Sequence, residues 1–420
     1  MTTVEKPPAE AKPEKTEDGF LQHFLHNLWA ANTVVVTLLS VLLAMVIGAV
    51  LIIVSDEEVR ATWTYLFARP GDALQASWTV VTDAYAELFK GSVFDPVAVA
   101  DWTSGAGTWQ AVFTPISETL TYTAPIVFTG LAVALAFRGG LFNIGAQGQA
   151  VLGTMIAAMA GFLLPLPPVL HLLVALLAGA LGGAVWGFVP GILKARTGAH
   201  EVITTIMLNY TAGLLLVWLI HQNGIQDPDR TDAISKTVES SAQLPAYGGA
   251  LRVHLGIVLA VLATAGVAWL LNRSTFGFEL RAVGANPDAA RTAGISVAKT
   301  YTLLMVIAGA LSGLGGATQV LGVAHTLTPA VAGNIGFDGL LVALLGRTRP
   351  WGVLLAALLF GALRAGGNRM QTAAGISLEL VTVLQALIVV FIAAPALVKA
   401  LFRLRAARAA RLSTSVAKGW

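Results

Sequence analysis

The sequence contains no cysteine and few charged residues. Without cysteine, a disulfide framework, a thiolate metal site and thiol chemistry are all excluded. Charged residues make up 12% of the 420 residues, whereas a soluble domain has roughly 25%. Hydrophobic residues reach 56%, and there are 43 glycines, a residue that is more frequent in membrane helices than in soluble ones. The composition therefore indicates a membrane protein with several spans.

Further absences limit the chemistry. No G-x-x-x-x-G-K-[ST] loop occurs, so the chain shows no ATP site of its own. None of the seven histidines has the spacing of a zinc motif, so no metal site is expected. No catalytic constellation can be argued from residues scattered over separate spans, so an intramembrane enzyme is not expected. The pI near 9.2 would suit nucleic acid, but the basic residues lie between apolar spans and are interpreted as orientation signals. No nucleic-acid partner is predicted.

Apolar runs of about 20 residues predict membrane helices. They predict an all-α fold, a polytopic transmembrane helical bundle of about ten spans. The spans fall at 33–54, 119–137, 141–163, 168–192, 201–220, 253–271, 300–321, 337–346, 351–366 and 379–397. The eighth and ninth runs are too short for ordinary spans and are expected to be tilted, broken or partly re-entrant. More than two thirds of the 26 lysines and arginines fall on one side of this topology, which predicts that the N- and C-termini are cytoplasmic.

Polar segments flank and interrupt the spans. Residues 1–32 are rich in Pro, Glu and Lys and are expected to form a disordered cytoplasmic tail. The run 33–54 is too long for the apolar part of a cleaved signal peptide and is predicted to be the first membrane span. The loop 55–118 is predicted to be extracytoplasmic, and its stretch Trp78–Phe89 fits either an interfacial amphipathic helix or a solvated linker. Residues 398–420 are predicted to form a basic cytoplasmic tail attracted to anionic lipid.

Amide side chains lie at the start of the third span. Asn143, Gln147 and Gln149 are polar residues in an apolar run, where each is costly unless it has a partner. Asn143 and Gln147 are four residues apart and are expected to share one helix face. Amides both donate and accept hydrogen bonds, which suits a neutral polar solute better than an ion. These residues are candidates for lining a substrate path, and inter-helix hydrogen bonding is an equally weighted alternative.

A second polar stripe opens the fifth span. Glu201, Thr204, Thr205 and Asn209 follow a helical spacing. Glu201 lies at the mouth of the span, where solvent or a salt bridge with a nearby cation can satisfy it. The two threonines and Asn209 lie deeper and are further candidates for the path. Asp338, at the start of the eighth span, is interpreted as a helix cap rather than a ligand.

Glycines occur at helical spacing on two spans. Small residues let helix backbones approach closely in lipid, so these rows predict intramolecular packing faces rather than subunit interfaces or a pore. The rows are Gly183, Gly187 and Gly191 on the fourth span, and Gly309, Gly313 and Gly316 on the seventh.

A polar hairpin at 276–298 separates two long apolar segments. Asn286 can cap a helix, Pro287 suits the first helical position, and Asp288 lies where the helix dipole favours a negative charge. Gly294 offers a left-handed stop. The pattern predicts a short helix of about two turns outside the bilayer. A compact, capped helix on one face of a membrane protein suggests a docking element for a partner.

Together these motifs resemble the permease family of bacterial ABC importers that includes ribose, branched-chain amino acid and nucleoside systems. The resemblance covers roughly residues 119–397 and is closest to the nucleoside and simple-sugar branch. It rests on F-R-G-G-L-F-N-I-G-A-Q-G-Q at 137–149, E-V-I-T-T-I-M-L-N at 201–209, R-A-V-G-A-N-P-D-A-A-R-T-A-G-I at 281–295 and F-D-G-L-L-V-A-L-L-G at 337–346. That branch usually reads F-N-I-G-A-E-G-Q, so Gln147 replaces a glutamate here. His200 stands where Asn is common.

The resemblance implies a role for each part of the chain. Residues 119–397 would be the permease core, and the hairpin 276–298 would dock on a cytoplasmic ABC ATPase. The coupling residues would be Arg281, Gly284, Asn286, Pro287, Asp288, Arg291 and Gly294. ATP and Mg²⁺ would bind the partner ATPase, with no cofactor on this chain. A second permease subunit, homologous or identical, and an extracytoplasmic substrate-binding lipoprotein would complete the assembly in the bilayer of the bacterial cytoplasmic membrane.

The implied function is import of nucleosides or a related sugar-bearing solute. A ribose or simple-sugar permease and a branched-chain amino acid permease are alternatives within the family. An ion-coupled secondary transporter is a different class. It usually carries ionisable residues at mid-membrane, and the sequence places no carboxylate clearly there. A non-transport scaffold or receptor is the remaining alternative, against which the polar stripes argue weakly.

Overall fold

The computed structural model describes residues 33–402 of the chain. The tail predicted at 1–32, and all but the first residues of the tail predicted at 398–420, lie outside it. The described residues fall into two compact units. Residues 46–389 form the larger unit, and 33–45 and 390–402 belong to the smaller one. Within 33–402 the regular structure is helical, with two isolated β-bridges, which confirms the all-α bundle.

The helices follow one another through the sequence with few long connections. The extracytoplasmic loop of the sequence prediction contains three of them. In chain order, all the described helices are α1 (Thr33–Ser55), α2 (Glu57–Trp63), α3 (Pro70–Ser92), α4 (Pro96–Thr103), α5 (Trp109–Arg138), α6 (Ala146–Leu163), α7 (Pro168–Thr197), α8 (Glu201–Ile220), α9 (Gly256–Arg273), α10 (Thr275–Ala285), α11 (Pro287–Thr292), α12 (Val297–Gln319, continued by a π-helical turn Val320–Ala324), α13 (Ile335–Leu345), α14 (Pro350–Ala374), α15 (Leu378–Ala393) and α16 (Pro395–Leu401).

Eight helices of the described range are long and apolar enough to cross a membrane, compared with about ten predicted spans. They are α1, α5, α6, α7, α8, α9, α12 and α14. The eighth predicted span is the 11-residue α13, short as expected. The last predicted span is interrupted between α15 and α16. The multi-pass architecture is confirmed, and eight helices among residues 33–402 meet the length and composition of a span.

The expectation that the ninth span is too short is wrong, because α14 has 25 residues. Its apolar run ends near Arg364, but the helix continues through polar residues that find distant partners. Asn368 donates to the Tyr122 hydroxyl at 2.8 Å. Arg369 pairs with Glu87 and with Asp95, each at 2.8 Å. These contacts satisfy polar side chains inside the helix, whereas a hydropathy window places the end of the span at the same residues.

Helix α3 covers the stretch for which an interfacial helix is predicted. Trp78 is 72% exposed, whereas Leu88 and Gly91 pack on α14, where a Cβ at Gly366 would overlap the Leu88 carbonyl. Glu87 lies on the same helix. Hydrogen bonds from Lys90 and from Arg369 of α14 hold the pKa of the Glu87 carboxyl below its usual value. Part of the predicted loop is thus integrated into the bundle. The interfacial role remains a prediction.

The glycine rows predicted to be packing faces form the contact between α7 and α12. A Cβ at Gly309 would overlap the carbonyl oxygen of Gly183, and one at Gly187 would overlap that of Met305. Gly316 approaches α6 in the same way, at the Ala150 carbonyl. Backbone therefore lies against backbone along this contact, which we call the glycine seam. Apolar cores flank α12 on both sides, one around Phe128 and Phe360 and the other around Leu216 and Val320.

Candidate functional site

Helix α13 is too short to cross a membrane, so its start is inferred to lie inside the bilayer. The end of α13 lies near the hairpin. Thr348, three residues after the helix, accepts a hydrogen bond from Arg138 Nε at 3.2 Å, and Gly140, two residues after Arg138, packs on Gly284 of the hairpin. We call this side of the membrane the hairpin side. Eleven residues span about 16 Å at 1.5 Å per residue, and the hydrocarbon core is about 30 Å thick. Ile335 therefore lies roughly halfway across.

Helix α6 begins at the same depth, and Gln147 joins the two helix starts. Gln147 Nε2 donates to the Gly333 carbonyl at 2.7 Å, and the Gly336 amide donates to Gln147 Oε1 at 2.8 Å. Both atoms of the side-chain amide are used. A carboxylate could not donate to the Gly333 carbonyl, so the glutamine suits this junction in a way that the glutamate of the related branch would not unless protonated.

The expectation that Asn143 and Gln147 share a helix face is wrong. Helix α6 starts at Ala146, and Asn143 lies in the non-helical segment before it. Asn143 instead exchanges hydrogen bonds with Gln149, at 3.0 Å and 3.2 Å, and both side chains are buried. This reciprocal pair is local, because it links α6 to the segment just before it rather than to another helix. It fixes the extended segment against the first turn of α6, and the predicted contact with a solute remains untested.

Asn209 braces the same segment from α8. Its Oδ1 accepts from the Gly148 amide at 2.8 Å, and its Nδ2 donates to the Ile144 carbonyl at 3.0 Å. Thr205 is buried against Gly145 and donates to the Glu201 carbonyl at 2.8 Å. Asn209 thus supplies two of the hydrogen bonds that a broken helix lacks inside a membrane.

The remaining members of that stripe lie nearer the hairpin side. Thr204 is half-buried and its hydroxyl donates to the Glu201 carbonyl at 3.0 Å. The Glu201 carboxylate forms an ion pair of 2.8 Å with Lys194, which is one of the two alternatives, solvent or a salt bridge, that the sequence left open.

Replacing Asn209 by leucine is expected to destabilise the protein. Two backbone groups of the broken segment would lose their partners, at a cost of about 1–3 kcal/mol for each group left unsatisfied. Thermal unfolding of the purified protein would show this as a lower Tm. Thr211→Leu is the matched control, because Thr211 is exposed on the same helix. An Asn209→Leu protein with the same Tm as the Thr211→Leu control would contradict the bracing role.

The interpretation of Asp338 as a helix cap is also wrong. Asp338 is the fourth residue of α13 and lies 3.7 Å from Arg364 of α14, measured from Oδ2 to Nη1. It lies seven residues, about 10 Å, from the end of α13 on the hairpin side, so a carboxylate does lie deep in the membrane. Arg364 lies within the predicted span 351–366 and is the fifteenth residue of α14. The break it makes in the apolar run 351–366 was the available signal.

Polar and aromatic residues lie on the segments that hold this ion pair, and both Gln147 and Arg364 approach Gly333. The side chain of Asp338 is 12% exposed, whereas that of Arg364 is 41% exposed. Phe337 on the first turns of α13 is 42% exposed, and Asn334 is exposed as well. We call the surface formed by Gln147, Asn334, Phe337 and Arg364 the mid-membrane surface. It offers amide and guanidinium donors, amide acceptors and one aromatic ring, with the charge of Arg364 neutralised by Asp338.

The hairpin has the local structure that the sequence predicts. Asn286 Oδ1 accepts from the amides of Asp288 and Ala289, at 3.0 Å and 3.1 Å, and caps α11. Gly294 has a φ of +84°, the left-handed conformation expected after the helix. Arg291 and Asp288 form an exposed ion pair of 3.1 Å, one turn apart. The outer face of α11 is therefore polar and rigidly capped.

The hairpin rests directly on the bundle. A Cβ at Gly284 would overlap the Arg138 carbonyl, so only glycine allows α10 to approach the end of α5 so closely. On the inner face, Ala290 is buried with Val283 and Val297. A force on α11 would thus be transmitted to both α5 and α12.

A separate cavity of about 570 Å³ opens at the other side of the bundle. It lies between the start of α7, the loop 240–252 and the π-helical turn, and its polar lining includes Ser240, Gln243, Arg252 and His325. Burial lowers the pKa of His325, and the charge of Arg252 lowers it further. The cavity adds a polar recess on the side away from the hairpin.

These features define a polytopic membrane permease: broken helices meet at mid-depth, and a capped hairpin stands on one side. Comparison with known proteins identifies it further. Residues 116–393 match the family of permease components of branched-chain amino acid transport systems, and the chain belongs to that family. It is the permease subunit of an ABC importer. No solved structure matches the chain.

Several curated proteins are similar to this chain. The guanosine ABC transporter permease protein NupP of Bacillus subtilis is 41% identical over 293 residues, 68% of this chain and 83% of that protein. The nucleoside ABC transporter permease protein NupB of Lactococcus lactis is 40% identical over 288 residues, 66% of this chain and 79% of that protein. The glucose ABC transporter permease protein TsgB13 of Haloferax volcanii is 33% identical over 287 residues, 66% of this chain and 75% of that protein.

Proposed function

We propose that this permease subunit forms the path for nucleosides or a related sugar-bearing solute. The observation that carries the proposal is the mid-membrane surface, where Gln147 joins two helix starts beside the Asp338–Arg364 pair. Its donors and acceptors suit hydroxyl groups, and Phe337 offers a ring face for a base. The names of the relatives from Bacillus and Lactococcus support nucleosides. The relative named as a glucose permease makes a simple sugar the alternative.

The path residues proposed from the sequence fall into three groups. Gln147 is partly exposed and belongs to the mid-membrane surface. Asn143, Gln149, Thr205 and Asn209 instead support the broken segment from behind, through the hydrogen bonds and packing described above. We therefore assign them to positioning, and Asn334, Phe337 and Arg364 join Gln147 as the proposed contact residues. Thr204, which is half-buried, remains a candidate for the hairpin-side mouth.

The proposed assembly places a cytoplasmic ABC ATPase on the hairpin, with ATP and Mg²⁺ bound to that partner. Pro287, Asp288 and Arg291 are exposed on α11 and would form the contact. Among residues 33–402, Arg281 Nη1 has no hydrogen-bond partner at the base of the hairpin, and this guanidinium would donate to a carbonyl or carboxylate of the ATPase. A second permease and a substrate-binding lipoprotein would complete the importer, in the bacterial cytoplasmic membrane with the hairpin on the cytoplasmic side.

Uptake of labelled nucleosides, ribose and leucine by cells with and without the gene tests the proposed substrate. Loss of ATP-dependent nucleoside uptake alone is the expected result. Loss of ribose or leucine uptake instead would support the importer function and would assign it a different solute. Nucleoside uptake that is unchanged by removal of the gene would contradict the substrate proposal.

Replacing Asn286 by alanine is expected to weaken coupling. The amides of Asp288 and Ala289 would lose their acceptor, which costs a helix about 1 kcal/mol. Because the defect is confined to the exposed α11, we expect nucleoside uptake to fall several-fold, while the thermal stability of the bundle changes little. Asn272→Ala, at an exposed position of α9, is the control. Uptake and substrate-stimulated ATPase activity equal to those of the control would contradict the coupling role.

A further inference from the structure

We propose that a groove between α7 and α12 binds the headgroup and upper acyl chain of an anionic phospholipid. The groove has a volume of about 280 Å³ and lies where the end of α7 meets the start of α12. Ile192 and Leu303 contribute apolar side chains to its walls, and Arg196 and Lys299 contribute cations. The inference concerns a surface that the translocation proposal does not use.

The groove arises from the way the glycine seam ends. From Gly183 to Gly191 the two backbones are in close contact, and a Cβ at Gly191 would lie 3.3 Å from Thr302 Cα. The last turn of α7 has no further glycine before its cap, Gly198. Beyond Gly191 a cleft opens between the two helices, at the end of the seam.

The cations of the groove lie at the depth of lipid headgroups. Helix α7 has 30 residues and is about 45 Å long, which exceeds a hydrocarbon core of about 30 Å. Its last turn, with Arg196, therefore extends into the headgroup region. Lys299 is in the first turn of α12, on the same side of the membrane.

The two cations of the groove lack carboxylate partners. Among residues 33–402, neither Arg196 nor Lys299 forms an ion pair, whereas the neighbouring Lys194 is paired with Glu201. Both side chains are exposed. Two unpaired cations above an apolar cleft complement an anionic headgroup attached to an acyl chain. A soluble anion would leave the apolar walls uncovered, which is why we propose a phospholipid.

Native mass spectrometry of the full-length protein tests the groove. The protein is incubated with equal amounts of phosphatidylglycerol and phosphatidylcholine that carry the same acyl chains. We expect preferential retention of phosphatidylglycerol. In the variant Arg196→Gln/Lys299→Gln we expect this preference to fall roughly 10- to 30-fold, because each cation near a membrane surface contributes about a fivefold factor. Leu303→Gln is expected to lower retention while leaving both cations in place.

The control is Arg273→Gln/Arg349→Gln, which removes two exposed cations elsewhere. Its preference for phosphatidylglycerol should match that of the unaltered protein. An equal loss in the control, or equal retention of both lipids by the unaltered protein, would overturn the proposal. Displacement of phosphatidylglycerol by millimolar inorganic phosphate would assign the site to a free anion. Retention unchanged in the Arg196/Lys299 variant, together with loss of ATPase binding, would assign those cations to the ATPase interface.

Discussion

Replacing Arg364 by glutamine is expected to reduce nucleoside uptake more than tenfold. The change removes the exposed guanidinium of the mid-membrane surface and leaves the Asp338 carboxylate, 12% exposed, without its partner. Breaking a fully buried ion pair costs about 3–5 kcal/mol. Because Arg364 is 41% exposed, we expect a smaller loss of stability, about 2 kcal/mol. Uptake and thermal unfolding, measured on the same preparation, give both effects.

A double variant separates the two effects. In Asp338→Asn/Arg364→Gln no charge is left unpaired, so the Tm should return toward that of the unaltered protein. Uptake should stay low, because the guanidinium is still absent from the surface. Arg349→Gln, at an exposed position before the first turn of the same helix, is the control and should transport normally.

The outcomes distinguish a solute contact from a structural brace. If the double variant recovers uptake together with stability, then the pair holds α13 against α14 and does not meet the solute. If Arg364→Gln transports like Arg349→Gln, then the mid-membrane surface is not the path at that point. Comparing KM with the maximal rate of the weakened variant adds a further criterion, since a lost solute contact should raise KM.

The features that the sequence predicts well are those whose causes are local. The hairpin follows from side-chain capping by Asn286 and a left-handed Gly294, and both interactions involve residues within a few positions. The glycine rows predict their packing faces for a related reason, because a bare backbone is a property of the residue itself. The fold class follows from the length and number of apolar runs.

The features that it misses depend on partners far along the chain. Helix α14 continues past its apolar run because Asn368 finds Tyr122, which lies 246 residues away in sequence. Asp338 does not cap its helix and instead forms an ion pair with Arg364, which lies on another helix. Helical spacing also fails at Asn143, since the helix begins three residues later. The errors at α14 and Asp338 come from reading a polar residue by its neighbours when a tertiary contact decides its role, whereas the error at Asn143 comes from a local helix boundary.

Replacing Gly309 by valine is expected to prevent formation of the folded bundle. A Cβ at this position would overlap the Gly183 carbonyl, and its other near neighbours are also backbone atoms of α7. Overpacking a core costs about 1–3 kcal/mol when side chains can adjust. Here backbone would have to move, so we expect a cost above about 3 kcal/mol and a loss of most monodisperse protein in size-exclusion chromatography. Gly309→Ala should show the same defect in weaker form.

Gly266→Val is the control for the glycine seam, because a Cβ at Gly266, in the middle of α9, has no atom within 4 Å. Both substitutions add the same apolar volume and the same β-branching to a helix, so insertion into the membrane should be equal for the two. A difference in folded yield then reports the contact between α7 and α12 alone. Equal yields would mean that the two helices can separate without loss of the fold, and the seam would then be a candidate for movement during transport rather than a fixed joint.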